Sequence, residues 1–313
     1  MDLMRSRPRK NKTAAYFTAV FIAAIPLIFV FSCASIPRQY GINHVIYGQI
    51  DDITPQWQKL YPGLDISAGR IKTPYIEFWA LRVNLADENL EIIVNEPEGN
   101  GKSLSSVNVS GFATQYSCLA AINAGPFSPV SAKTGEQRIL SGVFISKGRV
   151  VSPPDPRYDA LIFYNDGHAA VLSQNDRLEN IRHAVGGFYT VLEDGALTLR
   201  GAAPSPRHPR SAAAVSGDGF TLYLLVIDGR RIGSIGATER ETALLLSALG
   251  ARDGILMDGG GSSALALYIN GMVRIVNKPV HGGFVGHERA VGSCIGIKAL
   301  KSGCSKTGFN SLP

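Results

Sequence analysis

Six consecutive residues, Asp258-Gly259-Gly260-Gly261-Ser262-Ser263, have the make-up of a turn that could bind or react. Three glycines in succession let the backbone reach positive φ and approach a ligand with no Cβ in the way. Successive N–H groups in such a turn can converge into an anion-binding nest. The preceding Gly254-Ile255-Leu256-Met257 reads as a short buried strand, so Asp258 stands at its end with a carboxylate aimed at the same place. The same residues also suit a plain tight turn with a solvated aspartate. The loop is not a P-loop, because no Gly-Lys-Ser/Thr follows and the next segment, 264–276, reads as a hairpin with Asn270-Gly271 at its tip.

The elements that would position this turn are mostly strands. Segments 76–85 and 90–97 are apolar and strand-like, separated by the turn-like Ala86-Asp87-Glu88-Asn89. Four further hairpins are signalled by Lys147-Gly148, Asp166-Gly167, Asp194-Gly195 and Gly217-Asp218-Gly219 between apolar runs. Consecutive hairpins make antiparallel rather than βαβ structure. The clearest helix spans 239–249: Thr238 fits the N-cap, Glu241 at N3 completes a capping box, and Gly250 follows as the C′ residue. Its leucines and alanines occupy much of its circumference, which predicts deep burial. A second helix is predicted within 107–121, leading into a strand at 119–123. The fold class expected is α+β, one large antiparallel or mixed sheet packed around one or two central helices.

A series of short motifs runs through the second half of the chain. In order they are Asn123-Ala124-Gly125-Pro126-Phe127, His208-Pro209-Arg210-Ser211, Val226-Ile227-Asp228-Gly229-Arg230, Thr238 with Glu241, the Asp258 loop, and Glu288-Arg289-Ala290-Val291. This series resembles the phosphodiester glycosidase family over about 120–297, with one departure: Pro126 stands where the family usually has glycine before Phe127. The resemblance implies hydrolysis of the bond between a sugar's anomeric carbon and a phosphate diester, without a cofactor or resident metal. It also implies Asp258, Asp228 and Glu241 as catalytic candidates, and Asn123, Arg210, Gly259, Gly260, Gly261, Ser262 and Arg289 as substrate-binding candidates. The chemistry agrees on part of this: a diester anion needs arginine or N–H donors, whereas a carboxylate such as Asp258 is better placed against the sugar. Glu241 is equally explained as a cap, and Asp228-Gly229 as a strand-end turn. His183, His208, His281 and His287 show no metal-ligand spacing. Two other functions remain open at this level: a glycan-binding protein without turnover, and a phosphodiesterase using Asp228 and Asp258 as metal ligands.

The net charge of +6 does not indicate a nucleic-acid partner. Residues 1–13 hold five basic side chains against Asp2, which leaves only +2 for the remainder. That cluster precedes an uncharged, apolar run at 14–32 and then Cys33-Ala34-Ser35, the pattern of an export signal. Val30-Phe31-Ser32-Cys33 resembles a bacterial lipobox and makes Cys33 the expected lipidation site; the alternative is an uncleaved anchor helix interrupted by Pro26. Either places the rest of the chain outside the cytoplasmic membrane. The organisation expected is a signal over 1–33, a lead-in or tether over 34–70, the glycosidase-like domain over 71–300 and a tail over 301–313. Export permits one disulfide among Cys118, Cys294 and Cys304, with Cys294 and Cys304 nearest in sequence. The partners expected are a phosphate-containing glycan and, through the N-terminus, a membrane.

Overall fold

The computed structural model describes residues 41–98, 103–176 and 178–300, all within the unit Pro37–Pro313. The export segment, Cys33, Cys304 and the tail lie outside the described residues. Among the described residues no helix is long and apolar enough to cross a membrane.

Strand-forming, alternating sequence dominates, and it assembles into several sheets rather than the single large one expected. The largest has the order His44–Tyr47, Leu64–Ile71, Ile76–Asn84, Thr221–Ile227, Arg210–Val215, Asp253–Leu256, Thr190–Glu193, Ala196–Leu197, with Gln58–Tyr61 also paired to Leu64–Ile71. All these pairs are antiparallel except the first. A five-stranded sheet contains Phe144–Ser146, Ile181–Gly186 and Asp159–Tyr164 at its centre. Another places Ala120–Asn123 between Leu265–Ile269 and Cys294–Ala299.

The period of two along each strand divides the core. Leu222, Leu224 and Val226 point to the same side as Trp79, Leu81 and Ala213 and pack with Phe144 and Leu161 of the second sheet and Ile122, Leu265 and Ile295 of the third. Tyr223, Leu225 and Ile227 face the opposite side with Phe78, Ala212 and Ala214, and there they meet Ala243, Leu245 and Leu246 of a helix. That helix, α3 (Glu239–Ala248), therefore lies on the outer face of the largest sheet; it is not a central axis for the strands. The short α1 (Val109–Gln115) covers the third sheet through Val109, Phe112 and Ala113, and α2 (Leu199–Ala202) is a single turn.

The local signals hold where they were specific. Lys147-Gly148, Asp194-Gly195 and Asn270-Gly271 each have positive φ at both positions, as tight hairpins require. Thr238 and Glu241 form the reciprocal capping box, and Gly250 has φ +100°. Within the segment expected as a lead-in, His44–Tyr47 and Gln58–Tyr61 join Leu64–Ile71 in the largest sheet. Cys118 and Cys294 are buried free thiols, and a pairing with Cys304 lies outside the described residues. Burial raises the thiol of Cys118 to about 12, leaving it a packing residue.

Candidate active site

Three chain segments converge on the Asp258 loop. Asp253–Leu256 delivers Asp258 at its end, where Asp258 N–H donates to Ala124 O at 2.9 Å. The loop then tightens into a 3-10 turn, Gly260–Ser262, entered with Gly260 at φ +63°. Gly260 N–H donates to Pro209 O at 2.8 Å, which seats the loop on the start of Arg210–Val215.

Asp258 is only partly open to solvent, and burial raises its pKa to about 6 against the opposing pull of a Ser262 hydrogen bond, the Arg289 charge and the Gly259 N–H. Ser262 Oγ also accepts from Arg289 Nη1 at 3.2 Å. The guanidinium lies flat against the loop: a Cβ on Gly261 would stand 2.6 Å from Arg289 Nη2, so only glycine leaves room for it there. Burial and the neighbouring Arg230 charge lower the Arg289 pKa, while Asp258 raises it.

Arg230 is the site residue that sequence reading passed over, although its motif was in view. It is exposed, holds φ +58°, and its guanidinium lies 3.1 Å from where a Gly260 Cβ would be. A non-glycine residue in that conformation is uncommon and is held by its surroundings. The signal available was its position directly after Asp228-Gly229. Arg230 and Arg210 both lower the pKa of His208, as does burial. Arg289 and Arg230 thus bring donors and positive charge to the loop that carries the partly open Asp258 carboxylate.

The other predicted site residues are brought close, but their polar atoms are occupied. Asn123 is fully buried: its Oδ1 accepts from Ser211 Oγ at 2.7 Å and Ala264 N at 3.2 Å, and its Nδ2 donates to Asp258 O at 2.5 Å. It holds the Asp258 backbone and is sealed from solvent. Arg210 donates to Ala237 O at 3.0 Å and Pro206 O at 2.8 Å and lies 3.5 Å from Glu239, so most of its fork is committed to the protein.

Two expected catalytic carboxylates have their oxygens engaged by the protein itself. Asp228 is buried, and both its oxygens are engaged by Arg231 (2.7 Å), Asn277 Nδ2 (3.0 Å) and Lys278 N (3.0 and 3.1 Å). Arg231 also pairs with Glu77, and Glu77 with Arg70 at 2.7 Å. Asp228 is the anchor of the 228–234 loop that carries Arg230. Glu241 accepts from Thr238 N at 2.9 Å and takes a bidentate pair from Arg207 at 2.5 and 2.6 Å. Its role is to cap α3 and tie it to Arg207. Within the glycine loop, the N–H groups of Gly260, Ser262 (to Gly259 O, 3.2 Å) and Ser263 (to Gly260 O, 3.3 Å) are used within the protein. Among the described residues no group of three or more His, Cys, Asp or Glu side chains could hold a metal ion.

Comparison with known proteins places the chain among relatives of the same fold and family. The SPbeta prophage-derived uncharacterized protein YomE of Bacillus subtilis (strain 168) is 30% identical over 125 residues, 36% of this chain and 19% of that protein. The chain thus spans about a fifth of the length of that relative. The catalytic domain of zebrafish N-acetylglucosamine-1-phosphodiester alpha-N-acetylglucosaminidase, auto-inhibited by its pro-peptide, superimposes with a TM-score of 0.59 at 21% identity, covering 79% of this chain and 89% of that one. A protein from Synechocystis gives a TM-score of 0.57 at 14% identity, covering 79% and 64%. These two likenesses show a shared fold. The model of the phosphodiester glycosidase family matches residues 116–298, more than half of the chain and all of the loops described above. The chain belongs to the phosphodiester glycosidase family.

Proposed function

We propose that the protein hydrolyses a sugar-1-phosphodiester in a glycan, breaking the bond between the anomeric carbon and the phosphate oxygen. The observation that carries this reading is the setting of Asp258, a partly open carboxylate bordered by Arg289 and Arg230. The arginines attract the diester and orient it. Asp258, repelled by the phosphate, faces the sugar and stabilises positive charge developing at the anomeric carbon, either through space or as a nucleophile. The carbon–oxygen bond breaks, its electrons leave with the phosphate as a monoester, and water supplies the new oxygen on the sugar. A phosphate monoester is already a good leaving group, so the occupation of Asp228 and Glu241 elsewhere does not disable the site.

The export pattern of residues 1–33 supports a protein working outside the cytoplasm, tethered through Cys33, on a cell-envelope or exopolysaccharide glycan. A metal-assisted phosphodiesterase would need a second oxygen ligand beside Asp258, and Asp228 has none to offer. The test is a panel of sugar-1-phosphate diesters incubated with and without chelator, following reducing sugar and phosphate monoester together. Equal release of both, insensitive to chelator and lost in Asp258→Asn, is expected. Absence of turnover across the panel by folded protein, or turnover that survives Asp258→Asn, would overturn the reading.

A further inference from the structure

Next to the Asp258 loop, Val280–His281 and Phe284–Val285 form a two-stranded hairpin with Gly282 and Gly283 at its tip, both at positive φ. The hairpin packs on the Gly260–Ser262 turn. Its register sets His281 opposite Phe284, so the two side chains project from the same face. His281 Nδ1 is 3.2 Å from Arg289 Nε. A guanidinium has only donors, so Nδ1 must be the acceptor and carry no proton. The ring is therefore neutral with its hydrogen on Nε2. Burial and the charges of Arg289 and His287 all disfavour the imidazolium form. The Arg289 that fixes this tautomer is the same one that reaches Ser262 and flanks Asp258. His281 is only partly buried, and Nε2 is the ring nitrogen left to donate once Arg289 occupies Nδ1.

We propose that His281 is a substrate-contacting residue of this site, giving its Nε2–H to a phosphoryl oxygen while Arg289 holds its Nδ1. This rests on the phosphodiester reading. A neutral donor adds a hydrogen bond to the anion without adding a cation beside Arg289 and Arg230, whose mutual repulsion would otherwise grow. The hairpin thereby becomes part of the binding site, and its sequence, His281-Gly282-Gly283-Phe284, a determinant of how the phosphate is seated.

The test uses dimethyl phosphate, which presents the diester anion and has no glycosidic bond to cleave. Its binding to the full chain is measured for wild type, His281→Ala and His281→Gln, with the His281 ring nitrogens followed by 15N–1H NMR. We expect His281→Ala to weaken binding about tenfold, the scale of one hydrogen bond to a charged group. His281→Gln, whose amide N–H can occupy the Nε2 position, should stay within about threefold of wild type by the same reasoning. The spectrum should show an unprotonated Nδ1 at neutral pH and an Nε2–H signal that moves on titration. Unchanged binding by folded His281→Ala, or a proton on Nδ1, would overturn the inference and leave the function reading intact. Failure of wild type to bind the diester would sink both.

Discussion

Replacing Asp258 by Asn should make the protein more stable at neutral pH while inactivating it, and the structure sets the size of the effect. Burial raises the Asp258 pKa from 3.8 to about 6. The folded state therefore holds this proton more tightly than the unfolded state, and stability falls as pH rises from about 4 to about 6. About two pH units at 1.36 kcal/mol each amount to about 3 kcal/mol of stability lost by pH 8. Between pH 4.5 and 8, where denaturant unfolding is practical, about 2 kcal/mol of that remains to be seen. Asn cannot ionise, so the difference in unfolding free energy between Asp258→Asn and wild type should shift by that amount in favour of the variant. Over the same range kcat/KM of the variant should be lower by at least about 10³-fold. A stability difference independent of pH, or one that shifts toward wild type as pH rises, would refute the assignment of a buried, ionisation-averse carboxylate at the loop.

Other substitutions separate catalytic from architectural groups. Asp228→Ala leaves Arg231 facing a lost partner in a buried network and should cost about 3–5 kcal/mol in denaturant unfolding. Glu241→Ala removes the capping box and the Arg207 pair and should lower stability by about 1–2 kcal/mol, while kcat stays within about twofold. Arg230→Ala takes an exposed cation from beside the Asp258 loop; KM for a diester should rise at least about tenfold, with the melting temperature nearly unchanged.

The parts of this protein legible in its sequence were those determined by neighbours along the chain. Turns such as Asp194-Gly195 and the Thr238–Glu241 box need only a few adjacent residues, and both formed as expected. The Asp258 loop was equally visible, because its glycines and its strand are contiguous. What could not be read was set by partners far away in sequence. His44–Tyr47 joins the sheet by parallel pairing to Leu64–Ile71, which no hairpin signal announces. Whether a motif carboxylate faces a cleft or an arginine depends on the same kind of contact: Glu241 meets Arg207 and Asp228 meets Asn277 only in the folded chain. The Gly260 N–H, one of those the sequence offers to an anion, is taken by Pro209 O. Residue type and motif placed these groups near the site, and three-dimensional hydrogen bonding decided which of them have capacity left for substrate.

Cleavage on either side of the bridging oxygen gives the same sugar and the same phosphate monoester, so the origin of one oxygen tests the central claim most directly. Hydrolysis of a sugar-1-phosphate diester in 18O-labelled water, with mass analysis of the phosphate monoester, reads that origin. Attack at the anomeric carbon, as the Asp258 setting implies, puts the label in the sugar and leaves the monoester unlabelled. A labelled monoester would mean attack at phosphorus and would contradict the account.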